Sequence, residues 1–362
     1  MKKSKLFIGV MSGTSLDGVD VALCEITPKE CKLLHFKEYS YDAQLKADVL
    51  HAINNGVSLK SFGELHQRLG LLFAQKINIF LTTLGVQAES ICAIGLHGQT
   101  LWHEPKSDFP FSLQLGCPNR VASLTKIQTV TDFRNMDIAN GGEGAPFAPA
   151  FHHFLFHDLE GKVAILNIGG MANLTLLEEP LRGWDTGCGN VLLDYWIELS
   201  QNKSYDKEGT FAKSGEIITE LLASMLADPY FTQKAPKSTG REYFNTNFLA
   251  SYLPLYHTYK DEDIQRTLLE LTAQSIANDA NSAHIDTLIL CGGGAKNIFL
   301  LQRLQKLIHA KVKLSQEFGI DADALEAMAF AWFAYKNIRR EAVDLCSVTG
   351  AKKASILGGV YG

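Results

Sequence analysis

The chain has no two cysteines at Cys-x-x-Cys spacing. Its seven cysteines, at 24, 31, 92, 117, 188, 291 and 346, are scattered, and most fall in apolar runs. That speaks against a structural zinc site and points to buried, reduced thiols in a reducing compartment. No apolar run approaches the roughly eighteen residues of a membrane span, so no transmembrane helix is expected. No basic stripe offsets the formal net charge of -5, which argues against a nucleic-acid partner. There is no low-complexity segment and no long linker. A Walker-type Gly-x-x-x-x-Gly-Lys-Ser/Thr is absent, and no Gly-x-Gly-x-x-Gly opens a helix after the first strand. P-loop and dinucleotide-binding folds are therefore disfavoured. Lys2, Lys3 and Lys5 before Leu6–Met11 mimic a signal peptide, but the apolar run is too short. The expected setting is cytoplasmic, with no membrane partner.

What is present is an ordinary folded composition, 46% hydrophobic and 20% charged, over 362 residues. That length is too great for one ordinary core and implies two domains. Three glycine-rich turns follow apolar runs. The first, Ser12-Gly13-Thr14-Ser15-Leu16-Asp17-Gly18-Val19-Asp20, sits between the apolar segments Leu6–Met11 and Val19–Ile26. The second is Gly169-Gly170 after Val163–Ile168, and the third Gly292-Gly293-Gly294 after Thr287–Cys291, with Asn297 just beyond. Small residues let backbone N–H groups and hydroxyls close around an anion. One such turn is ordinary chain reversal; three in matched positions point to one nucleotide held between two related halves.

The order of segments repeats. In the first half, strands at Leu6–Met11, Val19–Ile26 and Leu33–Tyr41 precede a helix near Asp42–Asn54 and a long helix near Ser58–Leu84, then a strand at Ile91–Leu96. The apolar spacing of Leu65, Leu69, Leu72, Phe73, Ile77 and Phe80 is helical, and Gly85 suits a helix end. In the second half, strands at Val163–Ile168, Asn173–Leu177 and Arg182–Trp184 precede helices at Val191–Ser200, Ser214–Ala227 and Asp261–Ala283, then a strand at Thr287–Cys291. A helix over Asn297–His309, a short strand Lys311–Leu314 and a helix over Asp321–Arg340 complete the plan. The division this predicts is a first lobe over residues 1–130, with the apolar tail 341–362 packing back on it, and a second over 131–340. The link Thr125–Gly144 reads as a polar, glycine-rich functional loop.

Several polar groups stand out. Asp185 in Asp185-Thr186-Gly187-Cys188-Gly189-Asn190 precedes an apolar helix whose start offers N–H donors to an anion. A general base fits there; an N-cap role for Asp185 or Asn190 fits the local pattern equally. Asp132, Arg134, Asp137 and Glu143 lie in the link, where Arg134 suits a carboxylate or phosphate and a solvated ion-pair loop is the plain alternative. His97 and Gln99 end a strand and read as substrate contacts. Glu326 interrupts a strongly apolar helix and is either paired or functional if buried, or simply on an exposed face.

Together these motifs resemble the anhydro-N-acetylmuramic acid kinases. The matching residues are Gly9 to Ser15 with Asp17-Gly18-Val19-Asp20, His97-Gly98-Gln99-Thr100, Asp132-Phe133-Arg134 and Gly144-Ala145-Pro146. Further on they are Asn167-Ile168-Gly169-Gly170, Asp185-Thr186-Gly187, Gly189-Asn190, Cys291 to Asn297 and Glu326 to Ala331. They run in order over nearly the whole chain. The resemblance implies an α/β, two-lobed actin/Hsp70/hexokinase-like (ribonuclease H-like) fold with a central nucleotide cleft. It implies ATP and Mg2+, a homodimer, and conversion of 1,6-anhydro-N-acetylmuramic acid plus water to N-acetylmuramic acid 6-phosphate in cell-wall recycling. Asp185 would be the base. Gly13, Thr14, Ser15, Leu16, Asp17, Gly18, Val19, Asp20, Gly169 and Gly170 would hold phosphates. Gly292, Gly293, Gly294 and Asn297 would face the adenosine; His97, Gln99, Asp132, Arg134 and Glu326 would hold the sugar. Met11 and Asn167 stand where the wider superfamily often carries Asp, so the metal ligands stay unassigned, with Asp20 or water as substitutes. Cys188 stands where relatives often have Pro. Two alternatives remain at this point: a kinase for another sugar or acid, and a non-catalytic, Hsp70-like nucleotide switch.

Overall fold

The computed structural model describes residues 5–13, 16, 18–235, 237–241, 243–252 and 258–362. Its strands in chain order are β1 (Leu6–Ser12), β2 (Val19–Ile26), β3 (Cys31–Tyr39), β4 (Ile91–Glu104), β5 (Phe111–Leu115) and β6 (Thr129–Thr131). They continue with β7 (Val163–Ile168), β8 (Met171–Leu176), β9 (Arg182–Cys188), β10 (Thr287–Cys291), β11 (Lys311–Leu314) and β12 (Gly359–Tyr361). The chain divides into two compact units, Met1–Leu155 with Ala324–Gly362, and Phe156–Asp323. The sequence had placed the boundary at 130/131 and returned only residues 341–362 to the first lobe. At the expected boundary itself the chain is in mid-strand: β6 lies parallel to β4 inside the first sheet.

In the first unit the strand order is β12-β6-β4-β1-β2-β3, with β5 beside β4. β1, β2 and β3 form an antiparallel meander, and β4 lies parallel to β1. In the second unit the order is β11-β10-β7-β8-β9. There too the first three strands form an antiparallel meander and the next two run parallel to the first. The duplicated α/β plan expected from the order of segments is therefore present in the pairing itself.

The helix Leu325–Ile338 explains why the first unit reclaims Ala324–Gly362. It is buried along most of its length, including Phe330, Trp332 and Phe333. Two strand glycines admit its backbone: a Cβ on Gly9 of β1 would stand 1.7 Å from the Ala327 carbonyl oxygen, and one on Gly95 of β4 1.9 Å from that of Phe330. The helix thus lies directly on the sheet, which no side chain at those positions would permit. A second core gathers in the other unit around Ile168, Leu174, Leu192, Leu268 and Leu290.

Local chemistry sets the expected elements closely. The helix Leu59–Leu84 is capped by Ser58, whose Oγ accepts from Ser61 N, and ends at Gly85 in the left-handed region. The misses are tertiary. β4 runs on to Glu104 because β5 pairs with its extension, so His97 to Thr100 lie within a strand and not at its end. The link contains β6 and a helix, Phe133–Ala139, since Val130 and Phe133 are buried. The helix expected over 214–227 covers only Thr219–Leu226, and a separate helix, Thr210–Ser214, precedes it. They part at Gly215, where the backbone of Glu262 leaves no room for a side chain, a Cβ falling 2.1 Å from its carbonyl oxygen.

Candidate active site

In the first unit, the β1–β4 ladder slips between Val10 and Ser12. Side chains replace the lost regularity. His97 Nδ1 lies 3.3 Å from the Ser12 carbonyl oxygen, and Gln99 Nε2 donates to the Gly13 carbonyl at 3.2 Å. Ser12 Oγ, Tyr41 Oη and Gln99 Oε1 form a buried triangle with edges of 2.6, 2.6 and 3.1 Å. Burial pushes the Tyr41 hydroxyl up to about 12. Thr14, Ser15 and Asp17 lie outside the described residues. Of their neighbours, Leu16 and Val19 are fully buried in the core, so only their backbone is available to a nucleotide. Gly18 and Asp20 are half-buried, Asp20 opposite Met11 on β2.

His97 also meets Arg134. Its Nε2 lies 3.2 Å from Arg134 Nε and 3.0 Å from Nη2. A carbonyl only accepts and a guanidinium only donates, so Nδ1 carries the proton and Nε2 is the acceptor. The ring is neutral: burial, with the Arg134 charge adding to it, lowers its pKa to about 3. Arg134 Nη1 donates to the Gly144 carbonyl at 2.7 Å, and the guanidinium lies 5.5 Å from the Phe147 ring centre. The outer N–H groups of both terminal nitrogens have no partner among the described residues. Glu326, in the first turn of Leu325–Ile338, has open surface, yet protein crowds its carboxyl enough to push its pKa up, with Arg134 pulling it back. Asp132 is exposed, in the left-handed region at φ 62°, and accepts from Asn135 Nδ2 at 2.7 Å. Partial burial raises its pKa, and the Asn135 bonds oppose that. The buried Asp137 is committed elsewhere, to Gly144 N and Thr349 Oγ1. Glu143 pairs with Lys106 at the surface.

In the second unit, Asp185 sits within β9, opposite Asn173, at a bulge before Gly187. Bulges re-aim side chains and recur beside active sites. Its Oδ2 accepts from Ser238 Oγ at 3.1 Å and Thr239 N at 2.9 Å, its N–H donates to the Lys237 carbonyl, and its carbonyl accepts from Tyr230 Oη. Lys237 is itself buried, 3.3 Å from Asp279, which also accepts from Trp184 Nε1. This clamp was missed in the sequence; its only signal is the polar run Lys237-Ser238-Thr239 far along the chain. Asp185 is not a helix cap: the helix Val191–Gln201 starts after Asn190, whose side chain makes no capping bond.

Three N–H groups leading into that helix are not available to an anion. Those of Gly189, Asn190 and Val191 donate to the carbonyls of Gly170, Gly169 and Gly170. They brace the second glycine turn instead. The third turn divides in function. A Cβ on Gly292 would stand 2.3 Å from Asn167 Oδ1, and one on Gly294 2.3 Å from Ile168 Cγ2, so both are required by packing. Gly293 is exposed with nothing near the Cβ position, so the fold itself does not demand glycine there. Asn297 Oδ1 caps the helix Ile298–Leu307 by accepting from Leu300 N. No group of three His, Cys, Asp or Glu that could hold a metal occurs among the described residues.

Phosphoryl transfer asks a protein for positioning and charge stabilisation more than for covalent chemistry. Braced glycine turns and a clamped strand carboxylate suit that demand, which is the one a kinase makes. The model of the family described as anhydro-N-acetylmuramic acid kinase matches residues 5–362. The chain is 53% identical over 358 residues to the anhydro-N-acetylmuramic acid kinase of Sulfurovum sp. (strain NBC37-1), covering 98% of each chain. It is 51% identical over 366 residues to that of Sulfurimonas denitrificans, covering 99% of this chain and 100% of the other. Against that of Mannheimia succiniciproducens the identity is 46% over 368 residues, 98% of each. The chain belongs to the anhydro-N-acetylmuramic acid kinase family.

Proposed function

We propose that this kinase converts 1,6-anhydro-N-acetylmuramic acid, water and ATP to N-acetylmuramic acid 6-phosphate and ADP, returning a cell-wall sugar to metabolism. The observation that carries this reading is the family match from residue 5 to residue 362. Water attacks the anomeric carbon and gives a proton to Asp185. The bond from that carbon to the bridging oxygen breaks, the oxygen takes the γ-phosphoryl group, and ADP leaves. Asp132, Arg134 and Glu326 orient the sugar, Arg134 through its outer N–H groups, a fit for a carboxylate. The turn from Gly13 to Asp20 and Gly169-Gly170 carry the phosphates, and Gly293 lets the adenosine approach the backbone.

Magnesium fits this arrangement as an ion held mainly by phosphates and water, a mode that needs only one or two carboxylates. Asp20, beside the first turn, is the candidate for such a carboxylate. The ion would supply charge neutralisation on the β- and γ-phosphates. The reading also carries a homodimer and a cytoplasmic setting. The free state of all seven cysteines supports the second, and no described helix is long and apolar enough to cross a membrane. The deciding experiment is reaction in oxygen-18 water with mass spectrometry of the product. Label at the anomeric hydroxyl is expected; an unlabelled phosphorylated product would mean transfer to a free hydroxyl, and with it another substrate.

A further inference from the structure

The geometry points to His97 as a positioning residue that ties the phosphate turn to the sugar-binding guanidinium, one ring nitrogen serving each, and that touches neither ligand. The inference rests on the proposed sugar role of Arg134 and the proposed phosphate role of the β1–β2 turn. It starts from satisfaction. His97 is 4% exposed and its ring packs against Phe330, centroid to centroid 4.7 Å. Nδ1 donates to the Ser12 carbonyl and Nε2 accepts from Arg134, so no polar atom of the ring is left for a substrate. Gln99 is equally committed. Its Oε1 accepts from Ser12 and Tyr41, and its Nε2 donates to the carbonyls of Gly13 and Thr100.

The two side chains on β4 are therefore a buried bracket under the start of the turn, placed where the ladder slips. The bracket has two ends. One fixes the carbonyls of Ser12 and Gly13, from which the turn springs. The other fixes Arg134: with Nε and Nη2 on His97 and Nη1 on Gly144, the guanidinium plane is set before a sugar arrives, and ordering it costs the ligand nothing. A protonated imidazole would repel Arg134 and lose the acceptor, so burial that keeps the ring neutral is part of the device.

Because each nitrogen has its own task, the tasks are separable by substitution. In His97→Asn the shorter amide retains a donor at the place of Nδ1 and loses the acceptor for Arg134. In His97→Gln the longer amide places its oxygen where Nε2 stood and loses the bond to Ser12. Steady-state kinetics with ATP and 1,6-anhydro-N-acetylmuramic acid should then split. The Asn variant is expected to raise the sugar KM about tenfold or more, the scale of a lost bond to a charged group, with the ATP KM within about twofold. The Gln variant is expected to raise the ATP KM several-fold, with the sugar KM within about twofold. A merely structural histidine would move both constants together in both variants, and that result overturns the inference, as does a variant that moves neither. If one variant fails to fold, the other still tests its own half of the split. Arg134→Ala separates the two levels: if it leaves the sugar KM unchanged, the placement of the sugar fails, whatever His97 does.

Discussion

Asp185 carries the sharpest expectation at the scale of single residues. Asn at this position keeps the shape and the acceptor for Ser238 and Thr239 but not the basicity. Asp185→Asn should lower turnover by about 10²–10⁴-fold while ATP and sugar still bind, read by steady-state kinetics and calorimetry on the folded variant. Near-normal turnover would pass the search to Asp132 and Glu326. Asp137 is no longer a candidate, since both its oxygens hold backbone or side-chain donors. A second expectation concerns acid. Burial lowers the pKa of His97 to about 3 and of His152 to about 4. In the unfolded chain a histidine binds its proton near pH 6.5. Below that pH the unfolded state takes up protons that the folded state refuses, so stability falls as pH falls from about 6.5 toward 4. Each histidine contributes a slope of up to about 1.4 kcal/mol per pH unit. His152 has no partner for Nδ1 among the described residues, so His152→Leu removes a titrating group without breaking a bond there. Urea unfolding between pH 7 and pH 5 should show a shallower decline in that variant; an unchanged slope would mean that the buried ring titrates normally.

Glycines act at the scale of elements, and they fall into two kinds. Gly9 and Gly95 let Leu325–Ile338 lie on β1 and β4. Gly9→Ala would push helix from sheet and should cost at least about 2 kcal/mol of unfolding free energy, within the range for overpacked cores. Gly293 has open space about its Cβ position. Gly293→Ala should leave stability within about 0.5 kcal/mol, as at an ordinary surface site, yet weaken ATP binding measured by calorimetry. If Gly293→Ala binds ATP normally, the third turn is not where the adenosine lies. The helix start at Val191 shows the same economy. The N–H groups of Gly189, Asn190 and Val191 brace Gly169 and Gly170 rather than waiting for an anion. A helix N-terminus is an anion site only when its donors are unspent, which sequence does not reveal.

For the molecule as a whole, the chain leaves the first unit after Leu155 and returns to it at Ala324. The first sheet therefore waits for its covering helix until the second unit has been synthesised. Deleting Ala324–Gly362 should abolish hydrogen-exchange protection in β1 and β4, because they lose the helix that lies on Gly9 and Gly95, with Tyr335 against Phe7 and Phe330 against His97. Protection in β7 and β10 should persist, since each lies in the unit bounded by Phe156–Asp323. Persistent protection in β1 would show that the helix is dispensable for the first core. The long-range pairing of β12 with β6 makes the same demand at the sheet edge.

The amino-acid sequence by itself determined the local elements and the family. Short apolar runs set β2, β7, β10 and β11 to the residue, and helical apolar spacing with Gly85 set the body and C-terminal end of Leu59–Leu84. Those signals are local, so they survive without a structure. The order of glycine turns and polar motifs carried the kinase reading for the same reason. Only the tertiary structure decided which polar groups are already spent. His97 and Gln99, candidates for the sugar by motif, have their polar atoms engaged inside the protein, and Asp137 is bound to a threonine from the far end of the chain. It also decided that Leu325–Ile338 belongs to the first unit and that Ser238 and Thr239 hold Asp185. Each of these depends on groups distant in sequence meeting in space, and a hydrogen bond of that kind leaves no periodicity to read.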